Sequence, residues 1–507
     1  MIPMKTVSKI DPEKEYEQAK KLIELAGQQV LQHPDLAGLG SSVDNLMTAA
    51  RVLMEREERR RGAPRPPPSN GPKGRQKGDS RADSKKLPSQ KFLDIEVDEE
   101  VLRPAAVPQC PCCHNQMTES GLFDISEKLE VIPKKFHIKR SKRVKYNCSS
   151  CHGAMVNTPA PPSIVPTSNY GDTIIIDVAL SKFCSLIPIE RYAQMAFQAG
   201  LGGELPAQSL IGLTHHLANF LELLTQKIKN EVLSSLVLQA DESPHKMLEG
   251  DQTRNWFIWG FFSPIACYFQ THDTRSADIA TQFLKRSRAK FLVTDGYQAY
   301  GKATRDLKES GGPNIQVAYC NAHAFRYFEE ASITWKEESL VFLELYGQLY
   351  ELEKQRKRLA PEVGNQEHLK LRQSMIPFFE QLKSECGKAA PTVMAKSQLE
   401  KAINYFLGHY PGLTLCTLHV EIPLDNNLAE RELRSHVVGR KTWYGTHSKR
   451  GALTAASLFT IIHSCKLNKV NPYSYLPWVV QVIHKGQDIL TPHEYSKLPA
   501  HHLSGSR

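Results

Sequence analysis

Five short apolar runs crowd into residues 236–319, and beyond them the strand pattern never resumes. The runs, 236–240, 256–262, 265–269, 291–294 and 315–319, are short enough for strands and rich in β-branched and aromatic residues. Ser263-Pro264 reads as a tight turn between the second and third. Helical segments at 276–286, 297–308 and from about 321 follow in alternation. Three antiparallel-type strands and then helix, strand, helix, strand, helix predict an α/β layer with a ribonuclease-H-like order. Residues 331–410 carry only helical pattern, with long helices predicted over 338–359 and 366–382, so they read as an all-helical insertion.

Two of the runs end on an aspartate, Asp241 and Asp295. A third acid, Glu430, lies 135 residues beyond Asp295 on a helix predicted to start near Asp425, an N-cap candidate. Two strand-borne carboxylates and one helix-borne carboxylate suit a site for two magnesium (or manganese) ions. Such a pair, about 3.5–4 Å apart, can activate an attacking oxygen and stabilise a leaving one in phosphodiester chemistry. Hard cations that keep several waters need few protein oxygens, so three carboxylates suffice. Glu242 and Glu432 are expected to point away, because adjacent residues on a strand or helix diverge.

Asn426, Glu430 and Arg434 fall at i, i+4 and i+8, on one helix face. With Asn427, Arg431, Arg440 and Lys441 they form a candidate DNA-supporting set around the glutamate. An exposed helix with ordinary ion pairs is the bland alternative.

The formal charge of +10 is concentrated. Between Arg59 and Lys91 stand eleven Lys or Arg against two Asp, among prolines and glycines and almost no large apolar residues. Residues 59–92 are therefore expected to be a disordered basic linker, either a polyanion-binding segment or a plain tether. It follows an N-terminal helical region, 1–58. No run of 18 apolar residues and no apolar leader appears, which predicts no membrane span and a cytoplasmic, nucleoid-associated protein.

Five of the eleven cysteines lie in residues 110–151, inside a module expected over 93–160. Cys110, Cys113, Cys148 and Cys151 make two Cys-x-x-Cys pairs, the spacing that brings four soft ligands to one structural zinc ion. Cys112 is left over, and His114 and His152 are alternative ligands. The segment 122–146 is predicted to supply short strands of a zinc ribbon. Its row of Lys134, Lys135, Lys139, Arg140, Lys142, Arg143 and Lys145 suits contact with DNA. Residues 161–235 are helical, with a helix over 190–199, a glycine turn at 200–203 and a long helix over 207–232. That is a candidate helix-turn-helix, or an ordinary helical hairpin. The last region, 448–507, is expected to hold two helices and a loose polar tail from Pro492.

At this point the chain resembles the large transposases of the bacterial insertion sequence 66 family. The matching stretches are Ala240-Asp241-Glu242-Ser243-Pro244, Thr294-Asp295-Gly296-Tyr297-Gln298-Ala299-Tyr300, Cys320-Asn321-Ala322-His323, and the block from Asp425 through Glu430 and Arg434 into Val438-Gly439-Arg440-Lys441. The resemblance implies an Asp-Asp-Glu transposase whose acids fall on Asp241, Asp295 and Glu430. It also implies hydrolysis at each element end to free a 3′-hydroxyl, followed by attack of that hydroxyl on target DNA. Cys320 and His323 match a Cys-x-x-His signature with a structural or DNA-positioning role. The implied partners are the element's terminal inverted repeats, target DNA, further copies of the chain assembled on DNA and small accessory proteins. Where the family often has glycine after each cysteine pair, this chain has His114 and His152.

The full expectation is a multidomain α+β protein. A ribonuclease-H-like core (236–330 and 411–447) is interrupted by the 331–410 insertion and preceded by a zinc ribbon and a helical DNA-binding region. A ribonuclease-H-like nuclease without strand transfer and a non-catalytic DNA-binding protein are the alternatives.

Overall fold

The computed structural model describes residues 87–91, 97–104, 106–109, 111–112, 114–119, 125–131, 134–147, 155–249, 252–359 and 364–499. The predicted N-terminal helices, nearly all of the basic linker, and Cys110, Cys113, Cys148, Cys151 and His152 lie outside the described residues.

The chain divides into two compact units, residues 1–132 and 133–507. In the first, a one-turn helix α1 (Pro88–Lys91) is held where Ser89 donates from its backbone N–H and hydroxyl to the Glu127 carboxylate, both at 2.8 Å. Gln109 and Gln116 form a β-bridge around a tight turn in which His114 takes a positive φ of 59°. This conformation is one that histidine tolerates better than most residues.

In the second unit, β1 (Lys145–Asn147) pairs antiparallel with β2 (Met155–Asn157). Residues 134–144 before them carry no regular structure, so the ribbon strands predicted over 122–146 reduce to this one short strand among the described residues. The basic row leading into β1 is exposed.

Helices α2 (Asp172–Phe183), α3 (Ile189–Ala196), α4 (Ala207–Phe220) and α5 (Glu222–Leu233) follow. The long helix predicted over 207–232 is broken at Leu221, whose backbone leaves the helical region while its side chain is fully buried. The helix-turn-helix reading is weakened by two facts. The α4 sequence contains no Lys or Arg, and its apolar side (Leu210, Leu213, Leu217) is sunk in the core.

The sheet follows as β3 (Val237–Glu249), β4 (Gln252–Phe262), β5 (Cys267–His272), α6 (Ala277–Leu284), β6 (Phe291–Thr294), α7 (Gln298–Glu309) and β7 (Gln316–Tyr319). Its strand order is β5-β4-β3-β6-β7. The first three strands are antiparallel neighbours, and β6 and β7 are parallel to β3. Every residue of β6 is buried, as expected for a parallel strand covered on both faces.

The two faces have different covers. On one, Leu238, Ala240 and Leu292 share their side of the sheet with Trp259 and Phe261, which pack on Tyr300 of α7 and Phe283 of α6. On the other, Val237, Phe291, Val293 and Ala318 pack under α8 (Asn321–Ser332) and the helices of the insertion. These are α9 (Lys336–Arg358), α10 (Asn365–Gln373), α11 (Ile376–Ala389) and α12 (Gln398–Leu413). The helix expected over 366–382 is thus two helices, separated at Ser374 and Met375.

The chain ends in α13 (Asn427–Trp443), α14 (Lys449–Leu467), α15 (Pro472–His484) and α16 (Pro492–Tyr495). The tail expected to be loose from Pro492 instead folds into α16. A capping box of Thr491 and Glu494 closes its start, and buried Tyr495 packs on Tyr475 and Trp478.

Helix α14 seals the sheet's outer edge. Thr460 Oγ1 accepts from the Phe269 N–H and Ser464 Oγ from the Cys267 N–H, each at 3.0 Å, so two unpaired donors of edge strand β5 are satisfied by one turn of helix. Thr460→Val should leave a buried N–H without a partner and lower stability by about 1–3 kcal/mol in denaturant unfolding. A loss below a few tenths would show that the hydroxyl is not needed there.

Candidate active site

Strand β3 does not stop at Asp241. It runs eight residues further in a hairpin with β4, while its pairing with β6 ends at Gln239 and Val293. The parallel register sets Val237 beside Phe291 and Gln239 beside Val293. Two residues further on, the same register brings Asp241 level with Asp295, where the two strands part. Both side chains fall on the face that Val237 and Val293 share, by the two-residue alternation of a strand. Each carboxylate accepts one local N–H at 2.9 Å, Asp241 from Glu242 and Asp295 from Tyr297.

Past Gln239 the open side of β3 is covered by the segment around α13. Asn426 Nδ2 donates to the Ala240 carbonyl (3.0 Å), the Arg440 guanidinium to the Pro244 carbonyl, and the Thr446 N–H to the Lys246 carbonyl (3.1 Å). The backbone groups of even-numbered residues here all face away from β4. Pro244 therefore sits in the strand without costing a ladder hydrogen bond. This seam carries Glu430, in the first turn of α13, to the edge where the aspartates stand.

The start of α13 differs from expectation by one residue. Asn426 holds the N-cap position, and its side chain reaches to β3 instead of capping. Asp425 Oδ1 accepts the Asn427 N–H at 3.1 Å. Asn426 is fully buried, so it is a fastener and not a DNA contact. Cys320 is likewise buried; its Sγ accepts the Asn426 N–H at 3.1 Å, and Asn321 Nδ2 donates to the carbonyls of Leu413 and Leu424. Of the residues expected to face DNA, Asn427, Arg431, Arg434 and Lys441 are exposed, although Arg431 pairs with Glu432 at 3.0 Å, and Arg440 is half-buried.

The neighbouring acids do point elsewhere. Glu242 lies on the opposite face, held by Arg275 (2.8 Å) and by the Tyr300 hydroxyl (2.6 Å). Glu432 is buried against His463 Nδ1 at 2.6 Å. Glu430 faces His323 Nδ1 at 3.4 Å and Arg326 at 3.5 Å.

The helical insertion also takes part in the site, which the sequence does not announce. The Tyr405 hydroxyl of α12 donates to the Asp295 carbonyl at 2.6 Å. Gly296, at φ 98°, leaves the space that Tyr405 and His409 occupy: a Cβ there would come within 3.0 Å of the tyrosine hydroxyl. The glycine after Asp295 was in view in the sequence, but nothing local marks Tyr405 as its partner.

The site's charge favours a cation. Burial first, then the charges of Glu242, Asp295 and, more weakly, Glu430 hold the Asp241 carboxyl well above the usual carboxylate range, against one stabilising N–H. Ion pairs go to Glu242 and Glu430; among the described residues none reaches Asp241 or Asp295. Half-buried hard oxygens with no protein counter-charge fit a magnesium-class ion.

The seam beneath α13 also titrates. The His245 and His436 rings lie tilted against each other with centroids 5.2 Å apart, and His245 Nε2 meets Thr446 Oγ1 at 2.8 Å. Burial first, and then Arg440, push His245 down to about 4. The unfolded histidine binds its proton near 6.5, so this stability is full above that pH and is lost as pH falls from about 6.5 to about 4. The melting temperature should drop through that window, and His245→Gln should shallow the slope. An unchanged slope would assign the acid lability elsewhere.

A family model described as the transposase IS66 family matches residues 167–454, more than half of the chain. The chain belongs to the IS66 transposase family. A second model, the zinc-finger binding domain of transposase IS66, matches residues 108–152, which include both cysteine pairs of this transposase. Two similar proteins come from Sinorhizobium fredii (strain NBRC 101917 / NGR234), both carrying only the description uncharacterized protein. One, y4jD, is 28% identical over 393 residues, 74% of this chain and 75% of its own; the other, y4hP, is 27% identical over 430 residues, 80% and 75%. Among the described residues no helix is long and apolar enough to cross a membrane.

Proposed function

We propose that this IS66-family chain is an Asp-Asp-Glu transposase that hydrolyses DNA at element ends and joins the freed 3′-hydroxyl to target DNA. The observation that carries the proposal is the parallel pairing of β3 and β6 up to Gln239 and Val293, each two residues before an aspartate, with the helix bearing Glu430 fastened to the same strand. A mixed sheet in the order β5-β4-β3-β6-β7, with a helical insertion before the last acid, supports a ribonuclease-H-like core. Asp241, Asp295 and Glu430 would hold two magnesium or manganese ions, which when bound supply positive charge to attacking and leaving oxygens.

The chain's own groups do the rest. Asn426 and Cys320 hold the start of α13, and Tyr405 steadies the Asp295 turn. The exposure of Arg434, Asn427, Lys441 and the basic row before β1 supports a role for them in receiving phosphates. Cys110, Cys113, Cys148 and Cys151 would hold one structural zinc, in keeping with the zinc-finger match. Two ends must be joined, so assembly of at least two copies on DNA is expected, with accessory proteins of the same element as further partners.

The test is a joined-product assay with Mg²⁺ and DNA carrying the element's ends. Nicked ends and strand-transfer products are expected. Cleavage without joining would leave a nuclease, and binding without cleavage a DNA-binding protein.

A further inference from the structure

We propose that Cys320, His323 and Glu430 form a second metal site, selective for a zinc-class cation, whose occupation holds Glu430 away from the aspartates. The regulatory half of this rests on the reading above; the binding half does not.

Among the described residues this is the one group of three metal-ligating side chains whose donor atoms all lie within 4.8 Å of one another; Asp241, Asp295 and Glu430 are not so close. His323 Nδ1 and Glu430 Oε1 are 3.4 Å apart, both atoms are buried, and neither has a hydrogen-bond partner. Buried polar atoms left unpaired are costly, and two of them facing each other across one gap suit a shared cation. Arg326 stands near the other carboxylate oxygen, Oε2, which leaves Oε1 turned toward the histidine.

The local fold explains the cluster. Cys320 is the residue before α8, and His323 lies in that helix's first turn, three residues on and so on the same side. The Asn426 N–H, donated to Cys320 Sγ, orients the sulfur as an outer-sphere hydrogen bond orients a metal ligand. One sulfur, one imidazole nitrogen and one carboxylate oxygen make a three-ligand set with a fourth position open, which suits zinc. A thiolate ligand discriminates against magnesium, so magnesium would leave this site to zinc. The shared residue is Glu430: an oxygen engaged with Cys320 and His323 is withdrawn from the hard-cation pair.

The full-length chain, dialysed against micromolar Zn²⁺, should retain about two zinc ions, one of them in the zinc finger, and Cys320→Ser about one. Loss of one ligand should weaken the second zinc by at least about 10–100-fold. His323→Ala serves as an independent variant, and thermal unfolding confirms that each protein is folded. One zinc in the unaltered chain, or two in both folded variants, would overturn the site. Zinc should also inhibit Mg²⁺-dependent cleavage, measured against each protein's own zinc-free rate, and a folded, active variant should escape that inhibition. Equal inhibition of variant and parent would overturn the regulatory half. A chain that retains a second zinc but never cleaves DNA keeps the site and removes the transposase mechanism.

Discussion

Glu430→Gln is expected to lower both end cleavage and strand transfer by about 10³-fold or more, the scale seen when one member of a cooperating catalytic set is removed. The amide has the same shape and leaves the seam intact, because Asn426, Arg440 and Thr446 make their contacts to β3 without it. DNA binding and melting temperature should therefore change little. Asp241→Asn should be as inactive and should also raise the stability of the metal-free protein. Its carboxyl is held above the usual range by burial and by like charges, so the ionised form opposes folding at neutral pH. Gained stability with lost activity is the signature of a residue kept for chemistry. Strand transfer that survives either change would remove that residue from the site.

Glu353→Ala should cost about 3–5 kcal/mol, the usual penalty for stranding a buried charge. Arg372 is fully buried in the insertion, with Nε 2.9 Å from the Glu353 carboxylate and Nη1 donating to the Cys416 carbonyl at 3.2 Å. Arg356 shares the same carboxylate at 2.8 Å. Burial alone would raise the Glu353 carboxyl, but the hydrogen bond from Arg356 and the charges of Arg372, Arg356 and Lys357 outweigh it and hold it low. Without that carboxylate Arg372 has no counter-charge, and α9 and α10 should loosen together. Adding Arg372→Met should recover part of the loss, since a buried pair replaced by apolar groups is often tolerated. Denaturant unfolding measures both; a cost under about 1 kcal/mol for the single variant would mean that water reaches Arg372. Because α12 of the same helical layer carries Tyr405 to the Asp295 turn, activity should fall with stability.

The apolar runs revealed every strand of the sheet, because a parallel strand buried on both faces cannot hide its composition. The far half of β3 escaped notice. Asp241-Glu242-Ser243-Pro244 reads as a strand's end, and only the α13 seam makes that polar edge tolerable. Asp241 and Asp295 could be picked out, but their equal register depends on which strands pair. The helices at 172–233 and 449–484 looked like flanking regions, yet their buried residues belong to the same apolar core as β4 and β5. Periodicity identifies a helix's apolar side but not what it meets. Tyr405, more than a hundred residues from Asp295, left no local signal, and Cys320 and His323 read as a support pair until α8 and α13 were seen together.

Three backbone carbonyls of one strand, at Ala240, Pro244 and Lys246, are gripped by residues spread from 426 to 446. Helix α13 is thereby a beam pinned along its length to the strand that carries Asp241. Sliding or swinging it would break contacts at several points together, so slow rigid-body motion is not the way this acid changes position. What remains free is the Glu430 side chain itself, which among the described residues faces only His323 and Arg326 at 3.4 and 3.5 Å. Readiness for chemistry in this fold would then be a matter of torsion angles at one residue, on a scaffold that stays still.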